Sequence, residues 1–280
     1  MDEKGLGRRL QAVRLQAGLT QQALCQQAGL SYSTLTKIER GAIKAPSIFT
    51  IQSIAVSLGV SLDDLMLHSG RRMTKKHRSK SGVSFVYFDI NGCLVRFYHR
   101  AFTRLAEVSG ASADVIETAF WHHNDEACRG DMTMDEFNAA FAKAIGLERV
   151  DWLEYYLETV DPIDEMHELV TWVSQNYRIG LLTNTMPGFI EALRKQGLLP
   201  NVSYDVIIDS SKVQAIKPEA KIYEVATKKA ACPPSEILLI DDARANLMAA
   251  QKHGWHVLWF DDYRPEESIE RIQDSLRIAA

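Results

Sequence analysis

The chain has few cysteines and no long apolar run, and each shortage excludes something. Only four of its 280 residues are cysteine (Cys25, Cys93, Cys128 and Cys232). They show neither paired nor metal-ligand spacing, so reduced thiols in a cytoplasm are expected and a disulfide scaffold is excluded. No apolar stretch approaches the roughly 18–20 residues that cross a bilayer, so no membrane partner is expected. The start, Met1-Asp2-Glu3-Lys4, lacks the charged-then-apolar layout of a secretory signal. With 46% hydrophobic and 24% charged residues, collagen-like and disordered classes are excluded as well. No internal repeat is visible.

Charge is unevenly spread. The net charge is −4, yet residues 1–70 carry seven Lys/Arg against five Asp/Glu, and residues 71–80 carry six bases and no acid. The remaining 200 residues hold 19 bases and 31 acids. A polyanion partner is therefore expected at the N-terminal end only. The stretch Arg71-Arg72-Met73-Thr74-Lys75-Lys76-His77-Arg78-Ser79-Lys80-Ser81-Gly82 is nearly devoid of apolar side chains. Such a stretch buries too little surface to offset its ordering entropy. Residues 71–82 are read as a basic linker between domains at 1–70 and 83–280, able to add phosphate contacts.

Before that boundary the periodicity is helical and short. Leu6, Leu10 and Val13 form one stripe. Thr20 can cap a second helix ended by Gly29, and Ser31 a third carrying Leu35 and Ile38 inward. Pro46 opens a fourth, with Ile51, Ile54, Ala55 and Leu58 on one face, and Ser61-Leu62-Asp63-Asp64 resembles the capping box of a fifth.

After the boundary, apolar runs at 83–88, 179–182, 206–208, 237–240 and 257–260 read as buried strands. Helical stretches separate the last four, which implies a parallel sheet covered on both faces. Between the first two strands lie 90 residues with helical patterns at 101–108, 113–123, 134–145 and 152–158. This is too long for a simple crossover and reads as a helical cap over about 97–165. The tail carries Ile269, Ile272 and Leu276 on one side of a last helix.

The segments Leu19-Thr20-Gln21-Gln22-Ala23-Leu24, Gly29-Leu30-Ser31, Leu35-Thr36-Lys37-Ile38-Glu39-Arg40-Gly41, Pro46-Ser47 and Leu58-Gly59-Val60-Ser61 together resemble the helix-turn-helix domain of the lambdoid repressor and Cro (XRE) family. The resemblance implies that the helix starting at Ser31 enters the major groove of double-stranded DNA. Tyr32, Ser33, Thr36 and Lys37 would then face base edges. Gln21 matches the family's phosphate-contacting position, and Arg40 and Lys44 could add backbone contacts. Short hydroxyls and one Lys suit groove contacts on their own chemistry. One recognition helix covers half a site, so a homodimer is expected.

In the larger domain, the strand ends carry Asp89-Ile90-Asn91-Gly92-Cys93-Leu94, Thr183-Asn184-Thr185, Lys217-Pro218-Glu219 and Asp241-Asp242. Ligands of open parallel sheets bind at the carboxyl ends of the strands. Carboxylates with one Lys suit Mg²⁺ and a phosphoryl group there. The four motifs, in this order, resemble the haloacid dehalogenase (HAD) superfamily. The resemblance implies Asp89 as a nucleophile that forms an aspartyl-phosphate. Thr183 and the amide of Asn184 would hold phosphoryl oxygens, and Lys217 would neutralise charge. Asp242, with Asp241 beside it, would bind Mg²⁺ together with Asp89 and the backbone carbonyl of Asn91. Asn246 stands where a second carboxylate often lies.

One position departs from that pattern. Phosphatases of the family place an Asp two residues after the nucleophile as general acid and base, and this chain has Asn91. An amide cannot exchange a proton with a leaving group, a loss that typically costs ~10²–10⁴-fold. His122, His123 and Asp125 read as surface residues at a helix end, Trp121 and Trp152 as cap core, Cys93 as packing, and Asp261-Asp262 as the start of a turn or helix.

The expected architecture is thus a five-helix bundle followed by a doubly wound, HAD-like parallel sheet with a helical cap after the first strand. The expected function is a DNA-binding transcriptional regulator whose second domain senses or hydrolyses a small phosphorylated metabolite. The alternative is a Mg²⁺-dependent phosphatase whose N-terminal domain serves autoregulation or protein interaction.

Overall fold

The computed structural model describes residues 3–17, 19–43, 46–58, 60, 77–97 and 99–277. The fifth N-terminal helix, Lys44 and positions 71–76 of the basic stretch lie outside the described residues. The chain forms two compact units, Met1–Lys75 and Lys76–Ala280.

In the first unit, α1 (Glu3–Gln16), α2 (Gln21–Ala28), α3 (Tyr32–Glu39) and α4 (Ile48–Leu58) follow the stripes and caps of the sequence. Thr20 accepts from the Ala23 N–H at 3.1 Å and Ser31 from the Thr34 N–H at 3.2 Å. Each hydroxyl satisfies a donor that the first turn leaves unpaired. Gly29 closes α2 at φ 65°, a left-handed conformation that costs glycine little. Leu10, Leu24, Leu35, Ile38, Ile51 and Ile54 fill the core.

The second unit is built on five parallel strands: β1 (Phe85–Phe88), β2 (Arg178–Thr183), β3 (Val206–Asp209), β4 (Ile237–Asp241) and β5 (His256–Trp259). Their order is β3-β2-β1-β4-β5, so the chain winds outward in both directions from β1. Side chains alternate across β1: Val86 and Phe88 enter one core layer, Phe85 and Tyr87 the other. The first layer is covered by α9 (Asp164–Asn176) and α14 (Pro265–Ser275), the second by α12 (Ala220–Ala230) and α13 (Arg244–Lys252). Helix α9, which the sequence reading left unassigned, buries Met166, Leu169, Val170 and Val173 and carries the crossover back to β2.

Between β1 and α9, the described residues form α5 (His99–Ser109), α6 (Ala113–Arg129), α7 (Met134–Ala144) and α8 (Trp152–Thr159). A ring cluster of Phe102, Phe120, Phe137, Phe141 and Trp152 holds them together, with Phe120 and Trp152 centroids 4.7 Å apart. Trp152 is core as expected, whereas Trp121 is 43% exposed. Its ring lies on the outer side of α6, stacked on Phe97. Two short helices complete the unit, α10 (Phe189–Lys195) and α11 (Ser210–Val213).

Residues 77–82, expected as solvated linker, are hydrogen-bonded into this second unit. The His77 N–H donates to Asn176 O, the Lys80 N–H to Arg277 O, and Arg78 pairs with Glu236. Composition judged only the side chains, whereas backbone donors find partners whatever the side chain.

Candidate active site at the strand tips

Because all five strands run parallel, their carboxyl ends share one edge of the sheet. Asp89 directly follows β1, Thr183 ends β2, Asp241 ends β4, and Asp242 comes next. Lys217 arrives on the loop between α11 and α12. The expected carboxylates converge. Asp89, Asp241 and Asp242 each offer an oxygen within 4.8 Å of the others. Lys217 Nζ lies 2.6 Å from Asp241 Oδ2 and 2.9 Å from Asp89 Oδ1. Asp89, Lys217 and Asp241 are all buried.

Each position has a local cause. Asn184 clamps the lysine loop, its Oδ1 accepting from Lys217 N–H at 2.7 Å and its Nδ2 donating to Lys217 O at 2.8 Å. Gly92 has φ 80°, and a Cβ there would meet Asp242 Oδ2 at 2.4 Å, so only glycine lets the β1 loop pass Asp242. Asp241 is fully engaged, its Oδ1 accepting from Ala243 N–H and Asn246 Nδ2, its Oδ2 from Lys217. Asn246, standing where a carboxylate was considered, therefore fixes Asp241. Thr183 Oγ1 is buried without a hydrogen-bond partner among the described residues.

The electrostatics follow from burial. Desolvation, then the Asp241 charge, push the Asp89 carboxyl up to about 6 even though Lys217 opposes them. Burial, then the charges of Asp89 and Asp241, push Asp242 up to about 7. Burial alone would pull the Lys217 ammonium down, but the two adjoining carboxylates more than offset it and hold it raised. The site lacks positive charge: three carboxylates face one amine. Hard oxygen donors in that balance, beside an unpartnered hydroxyl, fit a divalent cation and a phosphoryl group.

The cap contributes what the sequence did not show. The Tyr156 hydroxyl on α8 donates to Asn91 Oδ1 at 2.6 Å. Tyr156 lies four residues after Trp152 and reads simply as inward-facing, so nothing in the sequence ties it to position 91. Asn91, Asn124, Cys128, Asn184, Thr185 and the rings of Phe120, Trp152, Tyr156 and Phe189 line a cavity of about 20 Å³, room for about one water. The end of α6 is pinned to the body: Ser210 Oγ donates to Cys128 O at 2.5 Å, and Arg129 pairs with Glu219 at 2.5 Å.

The remaining candidates fall outside the site. His122 and Asp125 are exposed, and His123 lies 3.8 Å from Glu126. Cys93 is buried, and burial pushes its thiol up, as suits a packing residue. Asp261 accepts from Tyr263 N–H and Arg264 Nε in a turn.

On the first unit, Tyr32, Ser33, Lys37 and Arg40 are exposed and Thr36 is half-buried, its hydroxyl donating to Tyr32 O. Gln21 donates from Nε2 to Glu39 Oε2 at 2.7 Å. Glu39 also receives a two-pronged contact from Arg14, at 2.7 and 3.1 Å. The sequence reading missed this buried pair. Its signal was there: Arg14 and Glu39 stand four residues after the core positions Leu10 and Leu35.

Residues 84–254 match the family model described as haloacid dehalogenase-like hydrolase, and residues 10–65 match helix-turn-helix. The chain belongs to the haloacid dehalogenase-like hydrolase family. It is fused to an XRE-type helix-turn-helix domain.

The chain is 24% identical over 152 residues to mouse acyl-CoA dehydrogenase family member 10, a match covering 52% of this chain and 14% of that protein. Among solved structures it resembles a HAD family enzyme from Bacteroides thetaiotaomicron, an aspartate-to-alanine mutant in complex with magnesium and inorganic phosphate. That match has a TM-score of 0.57 at 18% identity, over 65% of this chain and 95% of the other. A HAD-like family hydrolase from Porphyromonas gingivalis gives 0.57 at 21%, over 68% and 98%. The L-2-haloacid dehalogenase from Xanthobacter autotrophicus with chloropropionic acid covalently bound gives 0.52 at 17%, over 71% and 85%. At these identities the likeness is one of fold.

Proposed function

We propose that this HAD-like chain is a sequence-specific DNA-binding transcriptional regulator whose second unit binds a small phosphorylated metabolite with Mg²⁺. The observation that carries the metabolite half is the convergence of Asp89, Lys217, Asp241 and Asp242 on one strand-tip edge, beside the unpartnered Thr183 hydroxyl. Asp89 and Asp242 would hold the cation, with the backbone carbonyl of Asn91. The bound cation supplies charge neutralisation for phosphoryl transfer. Asp241 would contribute chiefly by orienting Lys217, since its oxygens are already engaged. Lys217, Thr183 and the backbone of Asn184 would grip the phosphoryl oxygens, leaving Asp89 in line as nucleophile.

The DNA half rests on the helix-turn-helix match and on the exposure of Tyr32, Ser33 and Lys37 along α3. These side chains and Thr36 would read base edges. Arg40 and Lys44 would contact phosphates, and Gln21 would do so through the second N–H of its Nε2, the first being donated to Glu39. Two copies would bind a two-fold site.

A thermal-shift screen of phosphorylated metabolites, with and without Mg²⁺, tests the first half. Selection from genomic fragments tests the second, and it fails if no fragment outcompetes random duplex. A second reading, a working Mg²⁺-dependent phosphatase, is favoured by the full complement of Asp89, Thr183, Lys217 and Asp242. Steady turnover of sugar phosphates with Mg²⁺ would select it.

A further inference from the structure

We infer that the strand-tip site accepts a phosphoryl group from a small acyl phosphate onto Asp89 and then holds it, so that this unit is a phosphorylation switch rather than a turnover enzyme. The inference rests on the proposed role of Asp89 as nucleophile and extends it.

The two half-reactions make different demands on protons. In the first, an Asp89 carboxylate oxygen bonds to phosphorus and the bond from phosphorus to the acyl oxygen breaks. The electron pair leaves on a carboxylate, which needs no proton at neutral pH. In the second, a water oxygen must bond to phosphorus while the bond to Asp89 breaks, and that water must lose a proton to a base. Asn91 stands beside the nucleophile, and an amide has no basic lone pair to take that proton. The Tyr156 hydroxyl donates to Asn91 Oδ1 at 2.6 Å, which fixes the amide in place, and an amide oxygen that accepts a hydrogen bond from water still does not take its proton. Both oxygens of Asp241 are engaged by Lys217, Asn246 and the Ala243 N–H, and Lys217 is a cation. With Asp242 committed to the cation in the proposed reading, the first step can proceed where the second stalls. The cavity beside Asn91, about 20 Å³ and ringed by Phe120, Trp152, Tyr156 and Phe189, has room for about one water and holds no carboxylate or imidazole in its lining.

The test treats the full-length chain with Mg²⁺ and acetyl phosphate, quenches in acid and measures intact mass. The expected result is one added phosphoryl group, removed by hydroxylamine and absent from Asp89→Asn. After removal of the donor it should persist about 100-fold longer or more than in Asn91→Asp. Equal lifetimes in wild type and Asn91→Asp overturn the inference while leaving the phosphoryl chemistry of the site standing. Turnover by Asn91→Asp with no label on the wild type does the same. No label and no turnover in either protein overturns this inference and the reading beneath it. Should Asn91→Asp fail to fold by circular dichroism, acetate release by the wild type decides. A burst of about one acetate per chain before a slow phase supports the switch, and linear release from the start overturns it.

Discussion

Tyr156 and Asn91 sit on different elements, 65 positions apart, and meet at 2.6 Å. An amide at position 91 cannot exchange a proton with a leaving group. Replacing Asn91 with Asp restores a group that can give and take one, and hydrolysis of unactivated phosphate esters should rise about 100-fold in steady-state assays. A flat rate would show that position 91 is not limiting. Asp89→Asn should abolish turnover and leave DNA affinity intact. The raised carboxyls give a second expectation. A carboxyl whose folded value is raised to about 6 (Asp89) or about 7 (Asp242) stabilises the fold most below its ordinary value, and that contribution is lost as pH rises through 6 and 7. In EDTA, the melting temperature of the wild type should therefore fall between pH 5 and 8 relative to Asp242→Asn. With Mg²⁺ the trend should reverse, because the cation binds the ionised form. Calorimetry across that range checks both signs.

Helix α3 serves the bundle twice: its outer side chains face solvent while Glu39 reaches inward to Arg14 and Gln21. Removing one partner of a buried pair leaves a bare charge in the core. Glu39→Ala should cost the first unit about 3–5 kcal/mol, lowering its melting transition and abolishing DNA binding, with metabolite-dependent shifts unaffected. Most elements were legible because stripes and caps are local: Thr20, Ser31, Gly29 and the strand runs each announce themselves within a few residues. Helix α9 was missed because a crossover helix and a cap helix carry the same stripe, and only the layer each packs against distinguishes them. The convergence of Asp89, Lys217 and Asp242 was legible as well, since parallel strands deliver their ends to one edge. Tyr156 and the Arg14–Glu39 pair were not, because each depends on two helices meeting at a register that neither encodes alone.

At the level of the molecule, one chain joins a helix-turn-helix domain to a haloacid dehalogenase-like hydrolase domain, and the two halves should respond to different probes. Lys37→Ala should weaken specific DNA binding by about 1–3 kcal/mol, the range of a lost base contact. It should leave the thermal response to Mg²⁺ and phosphate unchanged, as titration calorimetry and melting would show. Residues 77–84 are stitched to Asn176, Arg277 and Glu236 at the amino edge of the sheet, and Asp89 emerges at the carboxyl edge. Only β1, four buried residues laddered on both sides and roughly 13 Å long at the usual strand rise, separates them. A central strand bonded on both flanks cannot slide. The strand therefore holds the Asp89 carboxyl at a fixed reach from the hydrogen-bonded segment that precedes it.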